Sequence, residues 1–170
     1  MKLLVTGDLH LRRGDKVGLE VLREAADVAS CEDAVLILAG DIFDSPQDGE
    51  TLMPEVEKIL GEFRNLRGLL VAGEHDEQFW RDASPPPGFS LLSDFEPLHI
   101  GNLSVCGHGP LRQGLSPFSA RNIQTDLLVV HATIFLRDKP ELFMEVANRK
   151  DEPLPVWGEE IARAGVSLVV

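Results

Sequence analysis

Apolar runs alternate with amphipathic stretches along most of the chain, and the periods of the two differ. KLLVT at the N-terminus reads as a short strand, and AVLILA, a continuous apolar run over Ala34–Ala39, reads as a strand buried on both faces. Between them GLEVLREAADVAS places Leu19, Leu22, Ala26 and Ala29 on one helical face. A second helix carries Leu52, Val56, Ile59 and Phe63 in register, with Gly68 expected to break it. GLLVAG is the third strand, and SPPPG beyond it predicts an irregular loop. PLHIG and LSVCG predict a hairpin around Gly101 and Asn102, and DLLVVHA predicts a further buried strand that stops at His131. Helices over 141–147 and 158–164 and a last strand, VSLVV, complete the reading. Strand and helix alternation of this kind implies an α/β fold.

Composition changes this picture only at its edges. A chain of 170 residues, 44% hydrophobic, can bury one good core, so one domain over 1–170 is expected. No apolar stretch approaches the roughly 20 residues of a membrane span, and nothing is laid out as a signal peptide, which predicts a cytoplasmic protein with no membrane partner. Net charge is −12, which argues against a surface that grips nucleic acid all over but leaves room for a local basic patch. Cys31 and Cys106 are too few for a disulfide framework and are expected as buried small hydrophobes.

Candidate chemistry gathers where the strands stop. Asp8 and His10 follow the first strand, Asp41 the second, Glu74 to Asp76 the third, and His131 closes DLLVVHA. Two residues apart in a strand, Asp8 and His10 would leave the sheet on the same side. In open α/β sheets the cleft lies beyond the carboxyl ends of the strands, so these clusters are expected to converge. Carboxylates mixed with imidazoles suit borderline cations such as Mn²⁺, Fe²⁺ or Zn²⁺ better than Ca²⁺. Taken singly, each has a plainer reading: Asp8 and His10 as a loop turn, Asp41 as ordinary Gly-Asp turn chemistry, His131 as a satisfied buried histidine.

Taken together, GDLHL, LAGDIFD, AGEHDE and VVHA resemble the successive signatures of the calcineurin-like metallophosphoesterases, written D-x-H, G-D-x-x-D, G-N-H-D/E and a histidine after a buried strand. Within that superfamily LAGDIFDSP is most similar to the DNA-repair exonuclease branch, typified by the nuclease subunit of SbcCD-type complexes. The resemblance implies a metallophosphoesterase-type β-sandwich flanked by helices, in four layers, αββα. It implies two divalent metal ions, Mn²⁺ first and Fe²⁺ or Zn²⁺ as alternatives, with Asp8 and His10 on one, Asp41 bridging both, and Glu74 and His131 as further ligands. His75 is implied to contact the scissile phosphate and protonate the leaving oxygen, and Asp76 to orient its ring. DNA is the implied substrate and an SMC-like ATPase the implied partner.

Two departures qualify the resemblance. Glu74 stands where the family has asparagine, and a carboxylate there should hold metal more strongly yet repel an incoming phosphate. The expected G-H-x-H after a strand like VSLVV is missing, so the domain is expected to be truncated at its C-terminal side, with open coordination positions. A small-molecule phosphodiesterase or phosphatase, or a weakened domain retained for binding, therefore stand as alternatives. Other residues are read more modestly. His108 is expected in a loop, His99 without a role, Phe79 and Trp80 in the core beneath the proline loop rather than stacked on a base. Arg12, Arg13 and Lys16 are either a solvated loop or a contact to nucleic-acid phosphate.

Overall fold

The computed structural model describes residues 1–92, 96–109, 125–132, 134–135, 156–157 and 168–169. They form a mixed α/β structure with a parallel sheet, a second sheet and few helices, in two compact units, Met1–Leu92 and Ser93–Val170.

In the first unit the strands β1 (Lys2–Thr6), β2 (Ala34–Ala39), β3 (Arg67–Val71) and β4 (Phe89–Leu91) lie in that order, all parallel. Parallel neighbours need crossovers, and helices α1 (Lys16–Cys31) and α2 (Pro46–Gly61) supply the first two. α1 starts at Asp15, whose carboxylate accepts the Gly18 N–H at 2.9 Å, and it buries Leu22, Ala26 and Ala29. α2 starts at Ser45, with Pro46 at its first position, and buries Leu52, Val56, Ile59 and Leu60. Phe63 lies past the end of α2 and packs half-buried against the core. Leu36, Leu38, Phe43, Leu70 and Trp80 join these side chains in one apolar cluster.

Three readings of this unit need correction. Gly68 does not break a helix; it sits inside β3 opposite Phe89, where an added Cβ would lie 1.9 Å from the Phe89 ring. The strand β4 and the short helix α3 (Glu77–Asp82) were not foreseen, because three and six residues are too few to show a period. Cys31 is exposed, whereas Cys106 is buried as expected and its thiol is pushed up by burial.

In the second unit β5 (Leu98–Ile100) and β6 (Leu103–His108) form the expected antiparallel hairpin, turning at Gly101 with φ +60. β7 (Leu127–Val130) runs parallel to β6, and β10 (Leu168–Val169) parallel to β7. Thr125 and Asp126 fasten the entry to β7: the Thr125 hydroxyl donates to the Ser104 carbonyl at 2.8 Å, and the Ser104 N–H to Asp126 Oδ2 at 2.8 Å. β8 (Ile134–Phe135) and β9 (Val156–Trp157) make a separate parallel pair. His108 is not in a loop; it is the buried last residue of β6, paired with Val130. The helices expected over 141–147 and 158–164 lie outside the described residues. Among the described residues no helix is long and apolar enough to cross a membrane.

Candidate metal centre

The first three strands are adjacent and parallel, so their carboxyl ends open on one edge, and there the chain turns sharply. β1 ends at Thr6, so Asp8 and His10 do not share a strand face as alternation would have it. They take left-handed backbone conformations, φ +52 and +44, and Asp41 beyond β2 does the same at +45. Left-handed backbone is uncommon outside glycine and is favoured by short polar side chains. Interlocked backbone bonds hold it here: the Asp8 N–H donates to Gly40 O at 3.1 Å, His10 to Asp41 O at 2.9 Å and Leu11 to Ile42 O at 2.9 Å. The two loops are thereby zipped side by side, with Leu11 bridged to Phe43 and both wholly buried.

The loop after β3 closes onto this pair. Gly73 passes so near Asp41 that a Cβ would lie 1.9 Å from Asp41 Oδ1 and 2.1 Å from its backbone nitrogen. The His75 N–H donates to Asp41 Oδ1 at 2.9 Å, and the Asp41 side chain is buried. Its other oxygen lies 3.8 Å from His10 Nε2. The Asp8 and Asp41 carboxylates approach within 4.8 Å of each other.

Asp76 departs from its expected role. It is fully buried, and its oxygens accept the N–H groups of Gly73 at 2.8 Å, Ile42 at 2.9 Å and Phe43 at 3.2 Å. It ties the loop after β3 to the loop after β2 rather than orienting the His75 ring. Burial pushes its carboxyl up and the Asp41 charge adds to the rise, while the Gly73 and Phe43 N–H groups pull it down. The His75 ring is instead held by Asp44: His75 Nδ1 lies 3.1 Å from the Asp44 carbonyl, which can only accept, so Nδ1 carries the proton. The Asp44 carboxylate lies 3.3 Å from His10 Nδ1 and also takes the Arg12 guanidinium in a fork, at 3.0 Å on each oxygen. The signal for Asp44 was present as the second aspartate of GDIFD.

Two groupings in this unit offer ligand atoms all within 4.8 Å of one another: His10, Asp44 and His75, and Asp41, Glu74 and His75. Glu74 is exposed, its Oε1 3.6 Å from His75 Nε2, and the His10 and His75 rings meet edge to face at 4.8 Å. His10 Nδ1 is buried without a well-formed hydrogen bond. Mixed imidazole and carboxylate donors at this spacing fit a divalent transition-metal ion. Phe79 and Trp80 pack with Phe43 into the core, as expected of them. His131 lies in the second unit, just past β7, half-buried, its N–H donating to the His108 carbonyl at 2.9 Å.

A sequence profile of the calcineurin-like phosphoesterases matches residues 1–163. No curated protein matches the chain. Among solved structures, the crystal structure of Pseudomonas putida nuclease MPE is similar at 21% identity and a TM-score of 0.45, over 79% of this chain and 62% of that one.

Proposed function

The chain belongs to the calcineurin-like phosphoesterase family, and we propose that within it this protein is a phosphodiesterase acting on DNA in repair. As a member of that family it is a metal-dependent phosphoesterase. The observation that supports the metal-dependent chemistry is the convergence of Asp8, His10, Asp41, Glu74 and His75 at the ends of three adjacent parallel strands. Asp8, His10, Asp41 and Glu74 would hold two divalent ions, Mn²⁺ in our reading, with Asp41 shared; His131 keeps its place as a ligand on the family resemblance. Such ions, when bound, supply an activated hydroxide and positive charge on the phosphate.

The protein's own groups position and exclude. Asp76 ties together the two loops that carry Asp41 and His75, which holds those side chains in register with each other. With Nδ1 committed to the Asp44 carbonyl, His75 presents Nε2 to the leaving oxygen, to which it would give a proton as the doubly protonated imidazolium. The Asp44 carboxylate lies beside His10 Nδ1, while His10 Nε2 faces Asp41. The likeness of LAGDIFDSP to the DNA-repair exonuclease branch supports DNA as substrate, with an SMC-like ATPase partner in the cytoplasm as part of the same reading. Net charge −12 and the Glu74 carboxylate at the site favour a second reading, a small-molecule phosphodiesterase or phosphatase, or a domain of weakened turnover.

The test is Mn²⁺ binding by calorimetry with Asp41→Asn as control, followed by hydrolysis of single- and double-stranded DNA against nucleotide monoesters. Binding abolished by Asp41→Asn and faster hydrolysis of DNA are expected. Faster hydrolysis of monoesters would transfer the assignment to the second reading.

A further inference from the structure

The loop RRGDK over 12–16 holds three basic residues against one acidic in a chain of net charge −12, and it follows immediately on the ligand pair Asp8 and His10. Its first residue is not a loosely solvated cation. Arg12 Nε faces Asp44 Oδ2 and Arg12 Nη2 donates to Asp44 Oδ1, both at 3.0 Å, a two-point fork that fixes the plane of the guanidinium. Asp44 Oδ1 also faces His10 Nδ1 at 3.3 Å, so one oxygen carries Arg12 on one side and a candidate metal ligand on the other. The Arg12 side chain nonetheless remains 67% exposed. A guanidinium has five N–H donors, and the fork engages one edge, leaving the remaining donors directed to solvent at the rim of the centre. Arg13 is placed differently: its backbone N–H donates to Asp48 Oδ1 at 3.0 Å.

Resting on the phosphodiesterase reading above, we propose that Arg12 is a specificity-determining residue that binds a second phosphate, the one next to the scissile phosphate, and so selects substrates carrying more than one. The Asp44 carboxylate weakens the long-range attraction of Arg12 for anions. What it contributes is orientation, because the guanidinium is held before substrate arrives and little side-chain entropy remains to be lost. The donors of a planar guanidinium held in this way meet a phosphate with more fixed geometry than a mobile ammonium would.

The experiment compares Arg12→Ala, Arg12→Lys and Arg13→Ala on bis(p-nitrophenyl) phosphate, which has one phosphate, on a 5′-phosphorylated dinucleotide and on a short oligothymidylate. Arg12→Ala should lower kcat/KM on both multi-phosphate substrates roughly tenfold more than on the single-phosphate ester, the loss falling on KM, as for one charge-assisted contact. Arg12→Lys should recover part of it, and Arg13→Ala should discriminate far less. A loss on the dinucleotide alone identifies a terminal phosphate as the occupant; a loss on the oligothymidylate as well identifies an internucleotide phosphate. Equal loss on all substrates, or equal loss from Arg13→Ala, overturns the proposal. Anisotropy titration with a fluorescent phosphorothioate oligothymidylate reads the same contact without turnover. If the unaltered protein hydrolyses none of the substrates, the function fails, and binding that Arg12→Ala leaves unchanged would independently overturn this proposal.

Discussion

Asp76 Oδ2 accepts the backbone N–H of Ile42 at 2.9 Å across 34 positions of sequence, and that bond joins the loop after β3 to the loop after β2. With the Gly73 and Phe43 N–H groups on the same carboxylate, three backbone donors depend on one buried side chain. Asp76→Asn would keep one acceptor and set an NH₂ against N–H donors. A loss of about 2 to 4 kcal/mol in unfolding free energy is expected, measured by urea denaturation. A variant as stable as the parent would show that these three bonds do not hold the loops together.

Two glycine substitutions should have opposite signs. In Gly73→Ala the new Cβ meets Asp41 Oδ1 and its backbone nitrogen at 1.9 and 2.1 Å, neither of which can withdraw without breaking the zipped loops. Metal binding by calorimetry should be lost together with at least about 2 kcal/mol of stability. Gly61, last in α2, has no heavy atom within 4 Å of such a Cβ, and Gly61→Ala should stabilise by about 0.5 to 1 kcal/mol.

Acid should weaken the start of α2. Asp48 Oδ2 accepts the Ser45 hydroxyl at 2.6 Å and Oδ1 accepts the Arg13 N–H at 3.0 Å, and these bonds, in that order, hold its carboxyl below the usual range. Between the folded value and the unfolded one, about 3.9, the unfolded chain binds more protons. The stabilisation is therefore present above that unfolded value and lost as pH falls through the folded one. Urea midpoints from neutral to acid pH should fall less steeply in Asp48→Asn; parallel curves would contradict the linkage.

Glu74→Asn should raise turnover. Replacing the exposed carboxylate with a neutral amide removes repulsion of the phosphate worth about 1 kcal/mol across 4 Å of water, roughly fivefold in rate. Initial rates on bis(p-nitrophenyl) phosphate in saturating Mn²⁺ measure it, with circular dichroism as the check on folding. An unchanged or slower rate would show that Glu74 is tolerated as it stands.

Long-period features were legible without coordinates, for a simple reason: α1, α2 and the first three strands are each specified by neighbours in sequence. Leu22, Ala26 and Ala29 show a helical face, and the unbroken apolar run of β2 shows burial on both sides. Short β4 and α3 lacked that redundancy, and His108 looked like a loop residue because its strand partner Val130 is remote in sequence.

The sequence by itself determined the α/β class, the first three strands with their two helices, and the family signatures, since alternation and motif spacing are local properties. Tertiary structure alone decided how the candidate residues are held. Left-handed backbone at Asp8, His10 and Asp41 is stabilised by bonds between loops that are more than 30 residues apart, and no local pattern encodes it. The same holds for Asp76 and Asp44. One spends its carboxylate on backbone donors from a distant loop; the other meets His10, His75 and Arg12 only after the chain has folded. Buried polar groups must find partners, and which partners they find is settled by packing.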